Sequence, residues 1–333
     1  MRYDSKLPLF LQTIGSTSYL GIFGLSYFRY EAYDFCICCA RMGNSVFSGR
    51  DPKGTKMDPE IQIMAPEGID EGVLRQIRGW AEEVLERGGA SVGRPPLRIT
   101  VWKTLEKFEA SYREEKRALG VGTGEETEFL AIHDAWRGYP RIQVCQERLE
   151  GISTPVIQGA VHHELSHALH HGTPEFYTFR FSNDLQEAGR AYGFDLSLLQ
   201  QCVYFLSVAV KDREAVGWLA RIGLGFSQIA LLEYLISDTE EERRVWKAVC
   251  GRPTLRKIAL AAFLKTLLPI EALISMGMEE ARTLRARWGE AYEWLSETDQ
   301  EALFGLTRYK IDCEKKTFQE RLEDLVLQWI THY

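Results

Sequence analysis

Histidines are concentrated in one short segment of the chain, residues 162–171, with the sequence HHELSHALHH. Five of the seven histidines lie there, and His163, Glu164 and His167 form the pattern H-E-x-x-H. On a helix, positions i and i+4 share one face, so both imidazoles can bind one ion. A zinc ion held in this way activates water, and the adjacent glutamate can take the proton. The spacing therefore predicts a hydrolytic site with one Zn²⁺ on His163 and His167 and with Glu164 as the general base.

The residues around the motif predict a mostly buried helix. Pro155 is typical of the first turn of a helix, and Gly172 and Pro174 predict its end. Between them the apolar residues form a broad face: Val156, Ile157, Ala160, Val161, Leu165, Ala168 and Leu169. The alternative to a metal site is a buried helix whose imidazoles only form hydrogen bonds with their neighbours.

The motif resembles that of the H-E-x-x-H zinc metallopeptidases, over about residues 125–220. The gluzincin branch, in which a downstream glutamate is the third zinc ligand, is the closer resemblance, because His170 and Thr173 depart from the metzincin pattern. The segment HHELSHA is also similar to that of an uncharacterised archaeal group. The resemblance implies an α+β fold of the minigluzincin type. In this zincin-like core, a small sheet precedes the H-E-x-x-H helix and a Glu-bearing helix follows it.

Two glutamates are candidates for the third protein ligand that a catalytic zinc ion requires. Residues 194–221 are predicted as one long helix, and its apolar stripe continues onto Glu214, where a carboxylate is costly unless it is paired or bound to metal. Glu187 lies 20 residues after His167, a spacing that resembles the thermolysin-like enzymes, although the residues around it depart from their pattern. Glu214 is the predicted ligand and Glu187 the alternative, and Asp212 is expected to orient a zinc-bound imidazole. A solvated turn of an amphipathic helix is the other interpretation of Glu214.

The resemblance also implies how a substrate would bind. The last strand before the zinc helix, predicted at Arg141–Cys145, would run along the cleft, and its free edge could pair with an extended peptide. An ordinary edge strand is the alternative. The expected substrate is therefore a peptide or protein whose scissile carbonyl is attacked by the zinc-bound hydroxide. A further donor to the resulting oxyanion is expected among four residues: His162, His170, Tyr177 and Tyr204.

The rest of the chain predicts an α+β protein with a mostly helical C-terminal region. Before the zinc helix we expect helices and strands at 70–87 (helix), 97–102 (strand), 106–119 (helix), 128–133 (strand) and 141–145 (strand). After residue 221 we expect helices at 226–236, 240–250, 255–267, 270–276, 278–295, 298–309 and 317–330. The predicted organisation is an N-terminal extension and linker at 1–56, a core at 57–222, and a helical region at 223–333. A helical cap behind the core is the expected role of the last region, and a substrate-binding lobe is the alternative.

Composition restricts the compartment and the partners. The chain has 333 residues, of which 45% are hydrophobic and 26% charged, and a formal net charge of −7. It has no basic block of the nucleic-acid-binding type, so no nucleic-acid partner is expected. Its seven cysteines are an odd number, and clustered Cys36, Cys38 and Cys39 lack the second pair of ligands that a zinc site needs. We therefore expect a reducing, cytoplasmic location without a disulfide framework.

The N-terminal segment bears on a membrane role. Residues 7–28 carry no charge and match a membrane span in length, but proline, glycines and several hydroxyl residues weaken that interpretation. Membrane insertion is therefore not expected, and an extension that packs on the core or is partly disordered is favoured. Two other functions stay open: a zincin-like domain that binds a peptide or protein without cutting it, and a membrane-associated protein.

Overall fold

The computed structural model describes residues 61–66, 68–89, 96–119, 129–135, 137–236, 240–307 and 317–333. The apolar segment at 7–28, the linker at 48–60 and the cysteine cluster at 36–39 lie outside these residues. The fold class α+β is confirmed, with one small mixed sheet and twelve α-helices in the described part of the chain.

The sheet has four strands in the order β1-β2-β4-β3. They are β1 (Ile61–Met64), β2 (Leu97–Trp102), β3 (Ala131–Asp134) and β4 (Arg141–Cys145). β1, β2 and β4 are parallel, and β3 runs antiparallel beside β4 with His133 opposite Ile142. β1 was not predicted, because four residues are too few for a clear alternation of apolar and polar side chains.

The predicted free edge at Arg141–Cys145 is wrong, because β4 lies between β2 and β3. The short connection before β4 explains the difference. Gly138 has φ 82°, a left-handed conformation that glycine adopts without steric cost, and it lets the chain reverse within residues 135–140. The preceding strand β3 therefore folds back along the outer side of β4 and forms the edge of the sheet, with all four of its residues buried.

The described helices, in chain order, are α1 (Glu71–Gly88), α2 (Leu105–Leu119), α3 (Gln146–Leu149), α4 (Thr154–His170), α5 (Asn183–Ala191), α6 (Leu196–Arg221), α7 (Gly225–Leu235), α8 (Glu240–Val249), α9 (Pro253–Ser275), α10 (Glu280–Ala291), α11 (Glu297–Thr307) and α12 (Phe318–His332). A single 3₁₀ turn, Pro174–Phe176, follows α4. The predicted helix around the H-E-x-x-H motif is confirmed, including proline in its first turn, and it ends at His170.

Two apolar clusters form the interior. One lies between the sheet, α1 and α4, and the other lies among α6 and the C-terminal helices. Helices α6 and α7 contribute to both, since Leu219 and Leu231 belong to the first cluster and Leu206 and Leu232 to the second. The C-terminal helices therefore pack directly on the elements that surround the H-E-x-x-H segment.

The predicted helices at 255–267 and 270–276 are one continuous helix, α9, with Pro269 inside it. Proline removes one backbone hydrogen bond, but Leu268 and Ile270 are almost fully buried, so packing holds the helix through this point. Among the described residues, α9 alone is long and apolar enough to cross a membrane, and 72% of its most apolar window is buried inside the protein. A core helix meets the same criterion.

A buried ion network lies where β3 turns into β4. Nε of Arg141 donates to the two oxygens of Asp134 at 2.7 and 2.9 Å, and its Nη atoms donate to Glu115 on α2 at 2.9 and 2.5 Å. Burial raises the pKa of Asp134 to about 6, although Arg141 acts in the opposite direction. These pairings attach α2 to the edge of the sheet, since an unpaired buried charge would be costly.

Candidate metal centre

Helix α4 carries the motif into the interior, where all ten residues from Gly159 to Ala168 are buried. Gly159, His163 and His167 are four residues apart and share one face. Glycine is needed at the first of these positions because a Cβ there would lie 2.3 Å from the backbone oxygen of Ser227 on α7. The close approach of α7 places its side chains directly beside the histidines.

Three potential ligand atoms converge beside this face. Nε2 of His163 and Nε2 of His167 lie 3.0 Å apart. Oδ1 of Asp212, on α6, lies 3.1 Å from Nε2 of His167 and 3.5 Å from Nε2 of His163. With zinc bonds of 2.0–2.1 Å, two ligands of a tetrahedral ion are about 3.3 Å apart. The three atoms thus have the spacing of one face of a zinc coordination tetrahedron, and these buried residues could hold a metal ion.

The protonation of His163 follows from its contact with Gln228, which is fully buried on α7. Nε2 of Gln228 donates to the backbone oxygen of Gly159 at 2.9 Å, which directs its Oε1 toward Nδ1 of His163 at 3.2 Å. Since an amide oxygen only accepts, Nδ1 of His163 must carry the hydrogen. In a neutral imidazole, Nε2 is then an unprotonated acceptor that faces the other two ligand atoms.

A second set of contacts determines the protonation of His167. Arg321 on α12 donates to Oε1 of Glu214 at 2.7 Å, and the other oxygen of Glu214 lies 3.1 Å from Nε2 of His171. Nε2 of His171 therefore donates, its Nδ1 accepts, and Nδ1 of His167, 3.0 Å away, must donate to it. Burial lowers the pKa of both imidazoles, that of His167 well below its usual value, so both are neutral near pH 7. Nε2 of His167 is then also an acceptor.

Asp212 supplies the third acceptor. Its side chain is buried on α6, with the whole residue 3% exposed. Its Oδ1 has no partner with hydrogen-bond geometry among the described residues, despite lying within 3.1 Å of a ring nitrogen. Two nitrogen lone pairs and one carboxylate oxygen therefore face the same point, an arrangement that a cation at that point would stabilise.

The structure places the two predicted glutamate ligands elsewhere. Glu214 lies against His171 and Arg321, and Glu187 is exposed on α5. Asp212, predicted as an orienting group, is the carboxylate that lies beside His163 and His167. The physical reason is that the buried face of α6 is wider than the predicted stripe, since Val208, Ala209 and Ala215 are buried as well. Residues 212 and 214 are about 200° apart around a helix, so they cannot both face His163 and His167.

Glu164 lies on the side of α4 that faces the sheet, and it is fully buried. Its Oε2 accepts the backbone N–H of His133 on β3 at 3.1 Å and lies 2.9 Å from Nδ1 of the same residue. Nδ1 of His133 donates to this carboxylate, and its Nε2 accepts the hydroxyl hydrogen of Tyr177. The His133 ring stacks on His167 at 4.9 Å, with 11° between the planes. Glu164, the predicted general base, is therefore connected to Tyr177 through the imidazole of His133.

His133 was not predicted as a site residue. The only signal in the sequence is a histidine at the end of a predicted strand, and its proximity to α4 depends on the order of strands in the sheet. Lys211 adds a buried cation, with its ammonium 4.6 Å from the centre of the Tyr177 ring. Burial, the largest effect, and then the neighbouring His167 lower the pKa of His133 well below its usual value.

The structure separates the four candidate oxyanion donors by their contacts. Tyr177 bonds to His133, whereas Nδ1 of His162 lies 3.0 Å from the hydroxyl of Ser227. His170 packs against the Trp218 ring at 4.5 Å. The fourth candidate, Tyr204, packs against the Phe205 ring at 5.4 Å. The contact of Tyr177 therefore leads, through His133, to Glu164.

Comparison of the chain with models of protein families, with curated proteins and with solved structures finds no match. The fold and the site together define an α+β protein with a buried His–His–Asp group that could hold a metal ion.

Proposed function

We propose that this protein is a zinc-dependent hydrolase of peptides or proteins, with a zincin-like core formed by the sheet, α4 and α6. His163, His167 and Asp212 would hold one Zn²⁺, and Glu164 would act as the general base. The observation that carries the proposal is the convergence of three acceptor atoms, two of them unprotonated because their rings donate elsewhere. Two imidazoles and one carboxylate form a donor set that suits zinc.

The chain's own groups would handle the proton. Bound zinc supplies a Lewis acid that lowers the pKa of a coordinated water toward about 7. Glu164 would accept the proton from that water and deliver it to the leaving amine. His133 holds Glu164 through two contacts, which keeps the carboxylate in one orientation. Tyr177 would maintain the hydrogen of His133 on Nδ1, so that Glu164 always faces a donor on that side.

A peptide substrate is proposed from the H-E-x-x-H pattern and not from strand addition at Arg141–Cys145, since β4 is an inner strand. At the actual edge strand, β3, the backbone N–H of His133 already bonds to Glu164. A substrate would approach from the side of His163, the most exposed of the three proposed ligands at 6%. A cytoplasmic location without a nucleic-acid partner stays part of the proposal.

A second candidate is a domain that binds a metal ion, and through it a peptide or protein, without cutting it. The burial of the site favours this alternative, since Glu164 and His167 are 0% exposed. Structural zinc sites are closed, whereas catalytic ones keep a position open for water. The two candidates differ in whether Glu164 matters for anything besides packing.

Metal analysis of the purified full-length chain tests the site. We expect about one equivalent of zinc in the parent protein, by the single-ion arrangement above. His163→Ala should lose the ion, and His170→Ala, which changes a histidine of the same helix outside the ligand group, should keep it. A parent protein that takes up no zinc from a buffered solution would show that the metal proposal is wrong.

Hydrolysis is tested separately with a peptide library cut by the zinc-loaded parent. Glu164→Gln keeps the shape and the acceptor oxygen of the side chain, so it should retain zinc and lose cleavage by at least about 100-fold. Equal cleavage by both proteins would contradict the role of Glu164. Zinc binding without cleavage in either protein would favour the non-catalytic candidate.

A further inference from the structure

The proposed metal ligand His167 is connected to the C-terminal helix α12 by a chain of three contacts. His167 bonds to His171, His171 to Glu214, and Glu214 to Arg321, with distances of 3.0, 3.1 and 2.7 Å. The contacts are shielded from water, since the side chains of His171, Arg321 and Glu214 are 2%, 11% and 25% exposed. Hydrogen bonds in such surroundings are stronger than in water.

Aromatic packing holds the same helix in place. The ring of Phe318, in the first turn of α12, lies 6.3 Å from the ring of His171 and 5.1 Å from that of Phe176. Thr317 and Glu320 form a capping box that begins α12 at this point. The N-terminal turn of α12 is thus anchored beside His171, three residues before Arg321.

We propose that Arg321 is a positioning residue for metal binding, which acts on His167 through Glu214 and His171. This inference rests on the proposed metal site. Arg321 holds the Glu214 carboxylate, the carboxylate keeps the hydrogen of His171 on Nε2, and His171 then accepts from Nδ1 of His167. Without the arginine, the carboxylate can turn away and His171 can rotate. Nε2 of His167 is then no longer fixed as an acceptor that faces Asp212.

By the reciprocity of linked equilibria, metal binding also stabilises the docking of α12. Residues whose hydrogen bonds support a metal ligand typically change metal affinity by about 10–100-fold when they are mutated. Arg321 is two contacts further from the ion than His171. A smaller effect, a loss of about 3–10-fold, is therefore expected on removal of the guanidinium.

The experiment measures zinc affinity of the full-length chain by competition with a chromophoric chelator. Arg321→Met should weaken binding by about 3–10-fold, and Arg321→Lys, which keeps the cation, should weaken it by less than about threefold. The matched control is Arg256→Met, which removes another interhelical arginine–carboxylate pair, that with Asp299. It should leave zinc affinity within about twofold of the parent, by additivity for independent sites.

A double-mutant cycle separates positioning from general loss of structure. In a Glu214→Gln background, Arg321→Met should lower zinc affinity further by less than about twofold, because the contact through which Arg321 acts is already weakened. An equal loss in both backgrounds, or equal affinities for Arg321→Met and Arg256→Met, would overturn the inference while the metal site stands. A parent protein without zinc affinity would overturn the proposed function itself.

If Arg321→Met does not fold, amide hydrogen exchange of the parent decides the question. Addition of zinc should slow exchange in α12 by at least about threefold, and should do so less in Arg321→Lys. Unchanged exchange in α12 when zinc binds to the parent would refute the coupling.

Discussion

The close contact between α4 and α7 at Gly159 connects helix packing to metal binding, so we predict that a substitution there affects both. In Gly159→Ala, the new Cβ would lie 2.3 Å from the backbone oxygen of Ser227 and 2.9 Å from Cβ of Leu231. Ordinary contacts between such atoms are about 3.5 Å, so α7 must move outward by roughly 1 Å. Because the near neighbour is backbone, no side-chain rotation can relieve the clash.

The displacement has two costs. Overpacking of a buried contact costs about 1–3 kcal/mol. The bonds of Gln228 to His163 and to Gly159, now 3.2 and 2.9 Å, would lengthen beyond hydrogen-bond range, at about 1–3 kcal/mol for the buried groups left without partners. Alanine's better helix propensity offsets about 1 kcal/mol. We expect a net loss of about 1–5 kcal/mol in the free energy of unfolding, and zinc binding weakened by about tenfold because His163 loses its support.

Urea unfolding of metal-free protein measures the first effect, and chelator competition the second. Gly79→Ala is the matched control, since Gly79 lies inside α1, is exposed, and has nothing within 4 Å of the position that a Cβ would take. It should raise the free energy of unfolding by about 0.5–1 kcal/mol. If Gly159→Ala stabilises the protein as Gly79→Ala does, the close helix contact is absent. If it destabilises without a change in zinc affinity, Gln228 does not support His163.

Three further substitutions test the ligand set and the buried ion network. Mutation of a residue that supports a metal ligand typically weakens metal binding by about 10–100-fold. Asp212→Asn should weaken zinc binding by more than this, and Glu214→Gln should weaken it by about tenfold. If chelator competition shows the larger loss for Glu214→Gln, Glu214 is the ligand. Asp134 has a pKa of about 6 in the folded chain and an ordinary value of 3.8. Because the folded state binds its proton more tightly, the free energy of unfolding should fall by up to about 3 kcal/mol from this group as pH rises between these values. Asp134→Asn should lack this decline in urea unfolding at each pH, and an identical slope in both proteins would contradict the raised pKa.

The sequence predicted what depends on local spacing. The α4 helix and the shared face of His163 and His167 follow from residues at most four positions apart, and both are present in the structure. Asp212 could not be chosen over Glu214 in this way. Which of the two carboxylates lies beside His163 and His167 depends on the rotation of α6 about its axis, and that rotation is set by packing against helices far away in the sequence.

His133 was missed for a similar reason. Its contact with Glu164 requires β3 to lie at the edge of the sheet next to α4, which follows from the reversal at Gly138 and not from any pattern in β3 itself. The wrong assignment of a free edge to Arg141–Cys145 and the omission of His133 therefore have one cause, the order of the last two strands. A motif gives the identity of chemical groups, whereas their partners come from topology.

The partners that determine the protonation of the two histidines come from opposite ends of the C-terminal region. Gln228 on α7 directs His163, and Arg321 on α12 acts on His167 through Glu214. Both lie beyond residue 222, where the core was expected to end. Since each imidazole could bind a metal through Nε2 only when Nδ1 carries the hydrogen, the geometry of the proposed ligands depends on these distant residues as well as on the H-E-x-x-H segment. The helical region therefore takes part in the site, which a cap that only buries the back of the core would not do.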